Sequence, residues 1–110
     1  MVTRILIVDD SLYTRHTITN MLESSRSISV IASVSHISQT LDKIRQTGPD
    51  VVIMKVSPAD TRPLKEIQRI MKDWPVPILL LASPAEDESQ KHVFDAMDAG
   101  AIDFIMQPPA

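Results

Sequence analysis

Five short apolar runs, spaced along 110 residues, constrain this chain more than any other feature. They are Ile5-Leu6-Ile7-Val8, 28–34, Val51-Val52-Ile53-Met54, 78–82 and 101–105. Three are nearly continuous in Ile, Val and Leu, which is how a strand reads when both faces of a parallel sheet are buried. Between them, four segments carry apolar residues at helical spacing. These are Thr14, Ile18, Met21 and Leu22; then Ile37, Leu41 and Ile44; then Leu64, Ile67, Met71 and Trp74; then Val93, Phe94 and Met97. The only two glycines, Gly48 and Gly100, stand where the second and fourth of these helices should stop. Each is expected to be a left-handed C-terminal cap, and Pro49 reinforces the first stop. Strand and helix alternate four times before a fifth strand, a pattern that makes a parallel sheet with helices on both faces. The length supports one sizeable core, so residues 1–110 are read as a single domain.

Composition narrows the function. The chain has no cysteine, which excludes disulfide scaffolds, thiolate zinc sites, iron–sulfur clusters and cysteine nucleophiles. The formal net charge is −3, so no overall basic field attracts nucleic acid or anionic lipid. The longest apolar run, 76–82, is short and interrupted by Pro77, so no membrane span is expected. Met1-Val2-Thr3-Arg4 leads into a strand-like run and not into a signal-peptide pattern, so a cytoplasmic location is expected. His16, His36 and His92 lack metal-ligand spacing and suit a surface or helix-face role. Trp74 and the methionines suit core or helix-end packing. Glu86-Asp87-Glu88, after Ser83-Pro84, reads as a helix N-terminus favoured by the helix dipole.

In an open α/β sheet, ligands gather beyond the carboxyl ends of the strands. The first strand ends in Asp9-Asp10, the third in Lys55, the fourth in Ala82-Ser83 and the fifth near Gln107. If strands one, three and four are neighbours, two carboxylates and one ammonium converge on one edge. Adjacent carboxylates at a strand end suit a hard cation such as Mg²⁺. Asp10 or Ser11 equally suits the N-cap of the following helix. The two uses are compatible.

Three segments carry a resemblance. The runs 5–11 (ILIVDDS), 49–54 (PDVVIM) and 99–105 (AGAIDFI), in this order and spacing, resemble the receiver domain of bacterial response regulators, most of all that of the chemotaxis methylesterase group. The resemblance covers essentially the whole chain. It implies a flavodoxin-like five-stranded parallel sheet of order 2-1-3-4-5 flanked by helices. It also implies Mg²⁺ on the acidic pair and a phosphoryl group on an aspartate ending the third strand.

The residues depart from that pattern where its chemistry sits. Asp9 and Asp10 match the acidic pair, but the phospho-acceptor position falls on Lys55. The hydroxyl position ending the fourth strand falls on Ala82, and the lysine position after the fifth on Gln107. The aromatic switch position is kept as Phe104. The loop after the third strand has no glycine, and Ser57 and Ser83 are read as solvated loop residues and not as substitute acceptors. Charge gives the expectation: the Lys55 ammonium takes the place of metal and acceptor, within salt-bridge reach of Asp10 or Asp9, and competes with Mg²⁺. No cofactor is expected.

Receivers usually carry a fifth helix after the last strand. Here the sequence stops at Pro108-Pro109-Ala110, so the expectation is that this helix is missing and that an apolar part of one sheet face is covered in trans, by a second copy or another polypeptide. The resulting expectation is a phosphorylation-independent regulatory module of bacterial two-component or chemotaxis-type signalling. It would bind a signalling protein, with a homodimer as a further candidate assembly, and neither nucleic acid nor membrane. No nucleophile–base–orienter set is present, so no catalysis is expected. Two alternatives stand beside it: an unorthodox phospho-acceptor in the same fold, and the N-terminal regulatory half of a methylesterase-like enzyme. A nucleotide-binding domain is disfavoured, since two glycines build neither phosphate loop.

Overall fold

The structure is a computed structural model. It describes residues 1–56, 62–82, 95 and 97–106, with the backbone alone at 82 and 103–106. The strands are β1 (Thr3–Val8), β2 (Ile28–Val34), β3 (Val51–Val56), β4 (Ile78–Ala82) and β5 (Asp103–Met106). The helices are α1 (Leu12–Glu23), α2 (Thr40–Thr47), which follows a 3₁₀ turn at Ile37–Gln39, and α3 (Arg62–Asp73). The strands form one parallel sheet in the order β2-β1-β3-β4-β5. Right-handed crossovers put α1 on one face of such a sheet, and α2 and α3 on the other.

The two faces are filled differently. Leu6, Val8, Val52, Met54, Val56, Ile78 and Leu80 alternate along the strands and are buried with Leu41, Ile44, Ile67 and Ile70 of α2 and α3 in one cluster. On the α1 face, Ile5 and Ile7 are buried, but Val51, Ile53, Lys55, Leu79 and Leu81 are only half-buried. No residue of α1 itself is fully buried. The main core therefore lies under α2 and α3, and the α1 face is the less covered one.

Several local expectations need correction. Met21 is exposed, while Thr14, Ile18 and Leu22 face inward. The inward stripe is centred on Ile18 with Thr14 and Leu22 about 40° to either side, and Met21 lies about 60° from Ile18, just outside it. Trp74 lies just past the end of α3 and is about half exposed, so of its two expected places, core or helix end, it takes the helix end. The fifth strand starts at Asp103, two residues later than the apolar run, and Ile102 is exposed. Gly48 is the left-handed cap expected, with φ 60° and ψ 57° and its N–H on the Ile44 carbonyl at 2.8 Å. Gly100 is not of that type: its φ is +127°, and an added Cβ would lie 2.7 Å from Met71 Cγ. Positive φ and close packing, more than a cap, require glycine there. The N-cap of α1 is Ser11, whose Oγ accepts from the Thr14 N–H at 3.2 Å. Of the fourth helix, Val93 and Phe94 lie outside the described residues, as do Glu86-Asp87-Glu88; Asp95 and 97–99 are helical.

Candidate functional site

The carboxyl ends of β1 and β3 meet because Val8 of β1 is in register with Met54 of β3. That register sets Asp9 beside Lys55, one residue further along each chain. Lys55 Nζ lies 3.9 Å from Asp9 Oδ1. The Asp9 side chain is only 1% exposed, whereas that of Lys55 is 22% exposed. The pair is thus a buried carboxylate facing a cation that still touches water.

Asp9 is held from several sides. Its Oδ1 accepts from the Ser11 N–H at 2.9 Å, and its carbonyl oxygen accepts from Arg15 Nη1 at 2.6 Å. Its own N–H reaches the Val34 carbonyl of β2 at 3.1 Å. Its Oδ2 is buried and, among the described residues, has no hydrogen-bond partner. Burial pushes the Asp9 carboxyl above its ordinary range. The Ser11 N–H and the Lys55 ammonium act the other way without overcoming it, while Asp10 adds to the rise. Loss of hydration at a buried carboxylate thus outweighs one backbone hydrogen bond and one ammonium at 3.9 Å.

Asp10 is exposed. Asp9 and Asp10 line a cleft of about 240 Å³ together with Lys55, Ser35, His36 and Arg62. Ser35 and Arg62 were not singled out in the sequence, and His36 was read only as a surface or helix-face residue. His36 comes from the β2–α2 connection and Arg62 from the start of α3, so both reach the cleft only through the strand order. Ala82 ends β4, its backbone paired with Val56 of β3 and Met106 of β5. Phe104 is on β5, in register with Leu80; its side chain lies outside what the structure describes. Gln107, Ser57 and Ser83 also lie outside the described residues. Of the expected site, the structure therefore brings together Asp9, Asp10 and Lys55, with Asp9 and not Asp10 as the partner of the lysine.

Comparison with known proteins now adds to this geometry. The family model of the response regulator receiver domain matches residues 5–110. The chain belongs to the response regulator receiver family. It is 37% identical over 108 residues to a protein-glutamate methylesterase/protein-glutamine glutaminase of Sulfurimonas denitrificans, covering 98% of this chain and 30% of that protein. It is 34% identical over 105 residues to the protein of the same description from Oceanobacillus iheyensis, covering 96% of this chain and 30% of that one. The chain thus spans about 30% of the length of these curated relatives. Among solved structures, the response regulator domain of Thermotoga maritima CheB superposes with a TM-score of 0.85 at 26% identity, over 98% of this chain and 80% of that one. The receiver fold and a place in two-component signalling follow from the family.

Proposed function

We propose that this receiver domain works without phosphoryl transfer, as a regulatory interaction module of bacterial chemotaxis-type signalling. The observation that carries the reading is the Lys55 ammonium 3.9 Å from the buried Asp9 carboxylate, at the strand end where the family pattern expects an acceptor aspartate. An ammonium there is neither an acyl-phosphate-forming group nor a metal ligand. Mg²⁺ asks for near-octahedral oxygen donors. Here one carboxylate of the acidic pair already faces a cation, and a divalent ion beside it would meet a like charge. By this reading the donor set does not fit the ion. Ala82 and Gln107 support it, since they offer neither the hydroxyl nor the ammonium that would bind a phosphoryl group. The domain would be non-catalytic and cytoplasmic; among the described residues no helix is long and apolar enough to cross a membrane. The half-buried strip of Val51, Ile53, Leu79 and Leu81 supports a protein-covered face, with a second copy as one occupant.

The test is incubation with Mg²⁺ and a small phosphoryl donor, acetyl phosphate or phosphoramidate, followed by the intact mass. The expected result is no phosphoryl adduct. A stable adduct, mapped to an aspartate of the pair or to a loop serine, overturns the reading in favour of an unorthodox acceptor. The relatives favour a second reading of context: the domain as the N-terminal regulatory part of a methylesterase-like enzyme. Longer coding sequence with esterase activity on glutamyl methyl esters would establish it.

A further inference from the structure

Helix α3 carries a feature that the cleft does not explain. Arg62, Lys65, Arg69 and Lys72 are spaced three, four and three residues apart, which returns to one side of an α-helix. All four are exposed, while Ile67 and Ile70 of the same helix are buried. At 1.5 Å per residue the stripe is about 15 Å long. Internal acids offset it only in part. Glu66 is buried, accepting from the Leu41 N–H at 3.3 Å and from Arg69 at 2.9 Å, and Asp73 pairs with Arg45 at 3.8 Å. Arg62 is engaged within the chain. The side chains of Lys65 and Lys72 make no hydrogen bond or ion pair among the described residues. The stripe is a local reversal of sign on a chain of net charge −3. It also continues to the cleft, because Arg62 lines the mouth beside Lys55.

We propose that the outer face of α3, extended by Lys55 at the cleft, docks an acidic helical segment of another protein whose Asp and Glu side chains repeat at the same three-four-three spacing. The inference rests on reading the domain as an interaction module, but not on the loss of phosphotransfer. Charge complementarity selects this occupant. A membrane-surface helix needs an apolar face to insert, and the apolar side chains of α3 are buried or half-buried. Single-stranded nucleic acid binds on aromatic platforms within a basic field, and α3 has no aromatic residue while the chain is acidic overall.

The experiment uses the whole 110-residue chain and a dye-labelled synthetic Ala-rich helical peptide carrying Glu at that spacing, with its all-Gln counterpart as control. Fluorescence anisotropy is read at about 20 mM and about 200 mM salt, since exposed pairs are screened over about a Debye length. The expected result is binding of the Glu peptide alone, several-fold weaker at high salt. Lys65→Glu/Lys72→Glu should weaken it at least about tenfold, as two exposed attractions become repulsions. Lys65→Gln/Lys72→Gln, which leaves the fold to the same core, should weaken it less. Amide shifts should map to α3 and to the strand ends near Lys55. Failure to bind at low salt, equal binding of the Gln peptide, or indifference to the lysine changes overturns the proposal. So does tighter binding to duplex DNA or to phosphatidylserine vesicles than to the peptide, or self-association that competes with it. The mass assay for a phosphoryl adduct is a separate readout, so docking and phosphorylation independence fail separately.

Discussion

Replacing Lys55 by methionine tests the electrostatic core of this site, because it removes the ammonium and keeps most of the volume. At 3.9 Å, two unit charges attract by about 4 kcal/mol at an effective dielectric of about 20. Desolvating both groups offsets much of that. The pair is also longer than a hydrogen bond, and the lysine keeps 22% of its side-chain surface in water. A net loss of about 1–3 kcal/mol at neutral pH is expected, between the surface and fully buried cases. Its pH dependence is more diagnostic than its size. Asp9 has a folded pKa raised above its ordinary value of 3.8, chiefly by burial. A folded state that binds the proton more tightly than the unfolded one loses stability as pH rises from the unfolded pKa through the folded one. Removing Lys55 raises that carboxyl further, so the variant loses more over the same climb. The difference between wild type and Lys55→Met should therefore be small where Asp9 is protonated in both, and grow toward neutrality. Urea unfolding at steps from about pH 4 to 7, with m unchanged, measures it. In an Asp9→Asn background the difference at neutral pH should largely vanish. A penalty that is flat with pH, or that survives Asp9→Asn, refutes the pairing and makes Lys55 a packing residue.

Other perturbations have simpler outcomes. Gly100→Ala forces a Cβ to within 2.7 Å of Met71 Cγ at φ +127° and should cost about 1–3 kcal/mol in urea unfolding, partly recovered by adding Met71→Ala. Glu66→Ala strips the buried acceptor of the Leu41 N–H and should cost about 1–3 kcal/mol, with faster amide exchange at the start of α2. Ser11→Ala removes the N-cap of α1 and should cost about 1 kcal/mol. Lys55→Asp returns a third carboxylate to the cleft; its melting temperature should become dependent on millimolar Mg²⁺ where the wild type's is not, by mass action on the folded state.

How much was legible depends on what kind of signal each element carries. The limits of β2 and β4 coincide with apolar runs, even though β2 is a mostly half-buried edge strand that carries Ser29 and Ser33. The helices were legible as periods but not in each residue. Met21 and Trp74 look like core members in a count of apolar positions, and only the helix axis and the helix end turn them outward. Asp9, Asp10 and Lys55 could be found because strand ends are where an α/β sheet presents side chains. Which aspartate faces the lysine could not be read, since adjacent residues leave a strand on opposite sides and the register decides. Arg62 was invisible, and His36 was legible as a surface residue but not as part of the cleft, for a stronger reason: neither sits in a motif, and both reach the cleft through connections whose paths a linear sequence does not contain.

The consequence of a single side chain at the end of β3 follows from its neighbours more than from its own chemistry. The β1–β3 register leaves the residue after Met54 beside the residue after Val8, whatever their identities. With an acid at both positions the fold would hold two like charges together, and a bound cation or a proton would have to relieve them. With Lys55 the relief is covalently tethered, and no ion concentration sets it. Yet Asp9 remains above its ordinary range, with Oδ2 unpartnered among the described residues. The tether therefore compensates the buried carboxylate without saturating it.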